Sequence, residues 1–258
     1  MKKKKTLYII SAILLTAIFF SILFAIIPIT KTQKTFSANT TYATTMEEIN
    51  INMNNLMTEL EKEMTANPEL SMMGSPISLI ENSQSYKNII KLGLNGVKPL
   101  YDKLYDSKDA GLYEYILSLA IEDITQEKFV YNKDYGWKNS LEFRLSYEAK
   151  VNNTQTNVEK ILNSDDLNNN EKISKLKEQG IFAISFLMNE YNNNDSKIAK
   201  NMIETVVLDI ANSYKTSTEK NITSYSINNN ELTDIKSIQE NSALFDSLVD
   251  LNGKAYDK

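Results

Sequence analysis

The chain contains no cysteine and no histidine, and each absence excludes a class of chemistry. Without cysteine there is no disulfide framework, no thiolate nucleophile and no cysteine-linked lipid anchor. Without histidine there is no imidazole general base, and the usual zinc sites lose their ligands. The composition therefore predicts a protein that is not an enzyme and that carries neither a cofactor nor a metal.

Glycine and proline are also scarce, at 7 and 4 of 258 residues. Tight turns and strand-rich sandwiches use both residues heavily, so their scarcity favours helices joined by polar loops. The hydrophobic content of 42% is that of an ordinary globular protein, which predicts a packed core. We therefore expect an all-α fold.

Charge of one sign is nearly absent from the beginning of the chain. The first thirty residues have no acidic side chain, and their only cations are four lysines at positions 2–5. The remaining chain carries 24 lysines and arginines against 33 acids, and its single arginine is Arg144. An acidic body with one guanidinium is poorly suited to phosphate or base-edge recognition, so nucleic acid is not an expected partner.

An apolar run from Leu7 to Ile27 follows these lysines, and Pro28 closes it. Positive charge before an apolar segment is retained in the cytoplasm, so the rest of the chain is expected outside it. The run has the length of a membrane-spanning helix, which predicts a single-pass anchor in the cell membrane. Two alternatives are cleavage near Ser37, which would release a secreted protein, and a buried core helix.

The pattern along the chain predicts a series of segments. Met46, Ile49, Met53, Leu56, Leu60 and Met64 recur at intervals of three and four residues, as on one face of a helix. This face is expected to pack on its own domain, with a coiled-coil dimer seam as the alternative. The predicted segments are a signal anchor at 1–29, a linker at 30–43, an amphipathic helix at 44–68, a helical repeat domain at 76–214, and a polar segment with a capping helix at 215–258.

The repeat domain is predicted from an internal similarity at an offset of 87 residues. The offset places Gly180 on Gly93, and the gapless match continues over two apolar helical patterns. It pairs Val97 with Ile184, Leu100 with Leu187, Ile116 with Ile203 and Leu119 with Val206. The pattern indicates two helix pairs stacked with other helices between them.

The first of these units carries a further pattern over roughly residues 86–143. Its residues are Tyr86 to Gly93, Gly96 to Leu100, Gly111 to Ile116, and Tyr135-Gly136-Trp137. This pattern resembles the HEAT-like helical-repeat module of membrane-anchored or secreted proteins of Gram-positive bacteria. The resemblance implies a short α-solenoid that binds a partner through a concave face, and it brings no catalytic residues.

Two motifs with a chemical precedent receive structural interpretations instead. Ser174 with Lys177, and Ser217 with Lys220, have the spacing of penicillin-recognising serine enzymes, but the other elements of that fold are missing. The residues from Asp166 to Asn170 begin like a calcium loop, but Glu171 stands where glycine is needed. A lysine-rich surface and an asparagine-rich helix cap explain these motifs. Neighbouring acids such as Glu122-Asp123 are expected to point in different directions.

Aromatic side chains supply the only candidate functional residues. Tyrosine and tryptophan are enriched at binding hot spots, although they also serve as packing residues between helices. The candidates for a protein-interaction site are Tyr113, Tyr131, Tyr135 and Trp137.

The function expected from these observations is a binding or scaffold module of the cell envelope, with another envelope protein as its partner. Two alternatives remain open: a ligand-sensing arm of an envelope signalling system, and a secreted envelope hydrolase that relies on carboxylates or a Ser–Lys pair. Because the predicted cytoplasmic tail has only about five residues, a sensor would need a partner in the membrane.

Overall fold

The computed structural model describes residues 41–69, 77–132, 135–221, 232 and 234–251. Within them the fold is all-α apart from one small hairpin, as the composition predicts. The first helix, α1, covers residues 41–66. The later elements are α2 (Ile77–Asn82), α3 (Gln84–Ile90), α4 (Leu94–Asp106), α5 (Leu112–Thr125), β1 (Val130–Asn132), β2 (Tyr135–Gly136), α6 (Ser140–Leu162), α7 (Asn169–Lys177), α8 (Ala183–Asn193), α9 (Lys197–Asn221), α10 (Ile235–Glu240) and α11 (Ser242–Val249).

The predicted membrane anchor and the possible cleavage site near Ser37 lie outside the described residues. Among the residues that are described, no helix combines the length and the apolar character that crossing a membrane requires. The chain divides into two units, Met1–Thr44 and Thr45–Lys258. Of the first unit the structure describes residues 41–44, which are helical. Everything below concerns the second unit.

Helix α1 packs on the body of its own chain along the predicted apolar face. Ile49, Met53 and Leu56 are fully buried in the core. On the neighbouring face, the Glu59 carboxylate accepts hydrogen bonds of 2.5 and 2.7 Å from the hydroxyls of Ser83 and Ser85. This face is therefore an intramolecular contact with the start of α3, as expected.

The beginning of α1 differs from the prediction. The spacing of Thr44 with Glu47, and of Thr45 with Glu48, predicts a capping box that starts this helix after the linker, but residues 41–45 are already helical. Thr45 is buried within the helix, so its hydroxyl does not mark an N-terminus. The end agrees with the sequence pattern, because the helix stops at residue 66, directly before Asn67-Pro68. Ser75-Pro76 has the pattern of a helix cap and lies outside the described residues.

Two helix pairs share the same turn at the predicted offset of 87 residues. Gly93 and Gly180 both have a positive φ, at 55° and 72°, which side chains other than glycine rarely adopt. Each glycine N–H donates to the carbonyl three residues earlier, and each glycine carbonyl accepts from the N–H three residues later. The first turn leads into α4 and α5, and the second into α8 and α9, so the backbone repeats where the sequence repeats.

The same offset relates the cores of the two pairs. Val97 and Ile184 are fully buried at equivalent positions of α4 and α8, and so are Leu100 and Leu187. Each pair packs its two helices against each other. Burial of an aliphatic side chain of this size contributes about 2 kcal/mol, so these matched positions account for much of the stability of each pair.

Helix α6 lies between the two pairs and is one continuous helix. The adjacent asparagines Asn152-Asn153 predict a break between two helices here, and this prediction is wrong. Both asparagines are exposed, while Val151, Thr154 and Val158 continue the buried face across them. Packing of this face on α5, α7 and α8 therefore outweighs the weak helix propensity of the two asparagines.

The single arginine has a structural task at the end of α4. The Arg144 Nη1 donates to the carbonyls of Leu104, Tyr105 and Ser107 at 3.1–3.5 Å. The last carbonyls of a helix have no partner within the helix, and they carry partial negative charge. The guanidinium on α6 satisfies them and ties the two helices together.

The C-terminal helix α11 contacts both helix pairs, through α4 and α8. Its side chains Phe245 and Leu248 are buried in the core. The buried hydroxyl of Tyr147 on α6 donates to the Leu248 carbonyl at 2.7 Å. The sequence pattern predicts a capping helix in this segment, and α11 contacts a helix of each pair. A local sequence pattern does not indicate these two contacts.

Candidate functional site

Two of the four aromatic candidates, Tyr131 and Tyr135, lie on a hairpin that the sequence pattern did not predict. Strands β1 and β2 pair antiparallel, with Val130 opposite Gly136. Phe129, just before β1, is buried; its ring meets Phe143 edge-on at 5.0 Å and stacks on Tyr147 at 5.4 Å. The hairpin is therefore attached to the core at its base. The two strands are too short to show a clear alternation of apolar and polar residues in the sequence.

Trp137 and Tyr113 are packing residues on the sides of this region. The Trp137 ring lies 5.1 Å from those of Tyr115 and Phe143, and the tryptophan is half-buried. Tyr113 is also half-buried, and the Lys103 Nζ lies 5.8 Å above its ring. These contacts give both side chains a packing role, and their part in a protein interaction stays a prediction.

Tyr131 occupies a different environment. It is 40% exposed on β1, beside Val130 at 54%, and Leu141 at the start of α6 is 43% exposed. Tyr135 lies on β2, and its side chain is outside the described part of the structure. We call Val130, Tyr131 and Leu141 the hairpin surface. Exposed aromatic and aliphatic side chains of this size can serve as anchors at interaction sites.

A second feature is a cleft of about 660 Å³ where the two helix pairs meet. We call it the junction cleft. It has the volume of a ligand pocket, and it opens between the end of α5, the turn before α8, and α9. Its lining residues are Thr125, Gln126, Glu127, Lys177, Gly180, Ile181, Asp209, Ile210, Asn212, Ser213 and Tyr214.

The offset of 87 residues explains how this cleft arises. Residues 125–127 end α5, and the equivalent residues 212–214 lie inside α9, so both sets line the same cleft. Gln126 adopts the left-handed conformation, at φ 56°, and ends α5 there. Helix α9 continues past the equivalent point to residue 221. The junction cleft lies where α5 ends while α9 continues.

Tyr214 joins the two pairs at the base of the cleft. Its hydroxyl donates to the Ile124 carbonyl at 2.6 Å, close to the end of α5. Burial raises the pKa of this phenol well above its ordinary value, because the phenolate would be desolvated. The tyrosine is thus a neutral hydrogen-bond donor at every physiological pH.

Charged side chains line the walls of the cleft in two ion pairs. The Glu127 carboxylate accepts from the Lys150 Nζ at 2.9 Å, and both side chains are mostly buried. The Lys177 ammonium contacts the Asp209 carboxylate, and these two side chains are 40% and 47% exposed. The exposed pair contributes at most about 1 kcal/mol, so it exchanges readily with solvent ions or with a guest.

Two carboxyl groups elsewhere are buried in structural networks. Asp123 accepts from the Tyr86 hydroxyl at 2.6 Å, and Glu148 from that of Tyr101 at 2.9 Å. Burial raises the pKa of both carboxyl groups, and the tyrosine hydrogen bonds partly oppose the rise. Glu122 points away from Asp123 and accepts from the Phe129 N–H, as expected for neighbouring acids on a helix.

The other candidate motifs have structural roles. Asn168 caps α7 in a capping box with Glu171, so the calcium-like loop is a helix start, as interpreted from the sequence. Lys177 pairs with Asp209, a partner that the Ser-x-x-Lys pattern did not indicate. The asparagine-rich run that ends in Asp195 predicts this residue as the cap of α9, but the Ser196 hydroxyl accepts from the Ala199 N–H there. No group of acids with the spacing of a metal site occurs among the described residues.

Comparison with known proteins gives no assignment. No protein-family model matches the chain, and neither a curated protein nor a solved structure matches it. The fold and the two surfaces define an all-α protein built from two related helix pairs. The function therefore has to be argued from those surfaces.

Proposed function

We propose that this chain is a membrane-anchored, extracytoplasmic helical-repeat protein that binds another protein of the cell envelope as an adaptor or scaffold. The anchor is the apolar segment from Leu7 to Ile27, oriented by the lysines before it. Release as a secreted protein by cleavage near Ser37 is the alternative localisation. The helix pairs belong, in this proposal, to a short HEAT-like array.

The observation that carries the proposal is the hairpin surface. Val130, Tyr131 and Leu141 expose between 40 and 54% of their area to solvent. Interfaces gain most of their affinity from a few aromatic and aliphatic anchors at the centre of the contact. A rigid base at Phe129 supports this surface, which lowers the entropy lost when a partner binds.

The experiment is photocrosslinking in cells from a benzophenone amino acid at Tyr131. Lys160, which is exposed on the far part of α6, is the control position. Repeated capture of one envelope protein at Tyr131, absent at Lys160 and lost on Val130→Ser, is the expected result. Equal labelling at both positions, or capture that survives Val130→Ser, would contradict binding through this surface.

The junction cleft favours a second function, the ligand-sensing arm of an envelope signalling system. Its volume of about 660 Å³ is large enough for a small ligand. In this function the chain would act together with a partner protein in the membrane. The two functions differ in whether that partner binds without a ligand.

A further inference from the structure

We propose that the outer face of the hairpin binds an aromatic side chain on an extended, acidic segment of the protein partner. The aromatic ring lies over Gly136, beside Val130, and carboxylates next to it in the partner meet Lys128 and Lys138. This inference rests on the proposed function, because it assumes a protein partner at the hairpin surface. It adds the chemistry of the groups that the partner presents there.

The hairpin has an inner and an outer face, which alternate along each arm. Phe129 is 2% exposed and Trp137 packs on Tyr115 and Phe143, so these two side chains lie on the inner face. The residues before and after each of them point the opposite way, as successive side chains of an extended chain do. The outer face therefore carries four residues, all of them exposed: Lys128, Val130, Gly136 and Lys138.

The outer face has a gap at Gly136. This glycine lies directly opposite Val130, and opposite residues of an antiparallel pair present their side chains on the same face. Val130 thus has no cross-strand side chain to pack against, and it is 54% exposed. Within the described part of the chain, and apart from its chain neighbours, a Cβ added at Gly136 would meet only the Phe129 carbonyl oxygen, at 3.8 Å. We call this open space beside Val130 the glycine notch.

An aromatic ring is the group that gains most from the glycine notch. An aromatic side chain that lies over a glycine of a strand edge covers bare backbone and stabilises the sheet. Aromatic and β-branched side chains also form favourable pairs on one face of a sheet, and Val130 is the β-branched neighbour here. A smaller aliphatic side chain would bury less of the valine and of the backbone, and the gain follows the apolar area that is buried.

The charge of the hairpin favours an acidic segment. Residues 128–141 contain three lysines and one acid, whereas the chain beyond the N-terminal lysines has 24 cations against 33 acids. This stretch is thus a basic region on an acidic protein. A partner segment with carboxylates is attracted to it, and the rest of the surface repels the same segment.

The carboxylates nearest the two outer lysines are held by backbone groups. The Lys128 side chain is 82% exposed, and its Nζ lies 3.7 Å from the Glu122 carboxylate, which is only 10% exposed. That carboxylate also accepts from the Phe129 N–H, which keeps it at the base of the hairpin. The Glu142 carboxylate accepts from the Lys138 N–H at 2.7 Å. The ammonium groups on the outer face therefore remain accessible to carboxylates of a partner.

The positions of the two lysines set the spacing in the partner segment. Lys128 is two residues from Val130, and Lys138 is two residues from Gly136, a separation of about 7 Å in an extended chain. A carboxylate two residues from the aromatic side chain lies on the same face of an extended segment and at the same distance. The expected pattern in the partner is thus an aromatic residue and an acid with one residue between them.

The test uses the full chain in micelles of an uncharged detergent, labelled with nitrogen-15 at glycine and tryptophan. Seven glycines and one tryptophan report, of which Gly136 and Trp137 lie at the hairpin and Gly180 is the control outside it. The probe is the peptide acetyl-Glu-Ser-Phe-Ser-Glu-amide, which has the expected spacing in both chain directions. It should shift the amide signals of Gly136 and Trp137 in a saturable way and leave Gly180 in place.

Two control peptides separate the aromatic from the acidic contribution. One carries alanine in place of phenylalanine, and the other carries glutamine in place of both glutamates. Each should bind at least roughly fivefold more weakly than the probe, because one of the two kinds of contact is lost.

Gly136→Val distinguishes a loss of binding from a loss of folding, because the two properties should change in opposite directions. The valine fills the glycine notch from within the chain, so the probe should bind at least roughly tenfold more weakly, as followed at Trp137. Valine also favours a strand over glycine and pairs with Val130, so the variant should unfold roughly 2–4 °C higher than the parent.

A second pair of variants tests the charges. Lys128→Gln combined with Lys138→Gln should weaken the probe roughly threefold or more, because both ammonium groups are removed. Lys160→Gln combined with Lys175→Gln, at exposed positions on α6 and α7, is the matched control and should leave the affinity unaltered.

Equal binding of the alanine peptide, or full affinity in Gly136→Val, would overturn the proposal. A shift of Gly136 that follows added phosphatidylglycerol and not the probe would overturn the assignment to a protein segment and identify a lipid surface. A shift that grows with the concentration of the chain alone would overturn it too, and identify a second copy as the occupant.

Crosslinking at Tyr131 keeps this inference distinguishable from the proposed function. Capture of an envelope protein that survives Gly136→Val would overturn the inference and leave the proposed function standing. Specific binding of the probe without any capture in cells would contradict the proposed function and support the chemistry assigned to the glycine notch.

Discussion

Replacing Gly180 by alanine tests whether the repeated turn is a requirement of the backbone. At φ +72° an alanine is in the left-handed region, which costs about 1 to 2 kcal/mol. The lower entropy of the unfolded alanine chain returns roughly half a kcal/mol. The new Cβ also displaces the Glu127 carboxylate, whose contact with Lys150 is 2.9 Å, at a further cost of about 1 kcal/mol. We expect a net loss of about 2 kcal/mol.

For a domain of this size, that loss lowers the unfolding temperature by roughly 4–8 °C. The assay is thermal unfolding of the full chain in detergent micelles, followed by helix circular dichroism. Gly111→Ala is the matched control, because Gly111 has a φ of −86° and an added Cβ would meet its nearest atom at 3.5 Å. It should change the free energy of unfolding by less than about 0.5 kcal/mol.

A double-mutant cycle separates the two causes. Glu127→Ala removes the carboxylate that the new Cβ would displace, so Gly180→Ala should cost about 1 kcal/mol less in that background. The backbone part of the cost should remain. If Gly180→Ala and Gly111→Ala are equally mild, the left-handed turn is not needed, and the reasoning from the repeated glycines is wrong.

Three further predictions concern hydrogen bonds and protonation. Tyr147→Phe should destabilise the fold by about 1–3 kcal/mol in chemical unfolding, because the Leu248 carbonyl loses a buried donor; an unchanged midpoint would contradict this. Ser83→Ala should lower the free energy of unfolding by about 1 kcal/mol in the same measurement, because the Ser83 hydroxyl caps α3. Ser174→Ala, at an exposed position that caps no helix, is the control. Burial raises the pKa of the Asp123 carboxyl, so the contribution of this group to stability is full at acid pH and is lost as pH rises through its folded-state pKa. Asp123→Asn keeps an acceptor for the Tyr86 hydroxyl, and it should unfold at a higher denaturant concentration than the parent at pH 7 and lose this advantage near pH 4. An advantage that does not depend on pH would refute this prediction.

Much of the helical organisation is readable from the sequence because it is local. Apolar residues at intervals of three and four define the buried faces of α1 and α4, and Asn67-Pro68 ends α1 because a residue before proline is disfavoured in a helix. Gly93 and Gly180 mark equivalent turns, because residues other than glycine rarely adopt their positive φ. These features depend on neighbours within a few residues.

Other features depend on contacts between distant residues, and local patterns misjudge them. The asparagines at 152 and 153 do not break α6 because packing on the neighbouring helices holds it. The sequence pattern suggests that Trp137 is exposed, yet its ring packs against those of Tyr115 and Phe143. The same residue type can serve either role, and only its three-dimensional neighbours decide which.

The sequence by itself determined the all-α class, the acidic body, the absence of thiol and imidazole chemistry, and the register of the two related turns. Each follows from composition or from short-range periodicity. The tertiary structure alone decided that the end of α5 meets α9, which brings Glu127, Lys177 and Asp209 around one cleft although 82 residues separate the first from the last. Packing between helices creates that proximity, and no spacing along the chain encodes it.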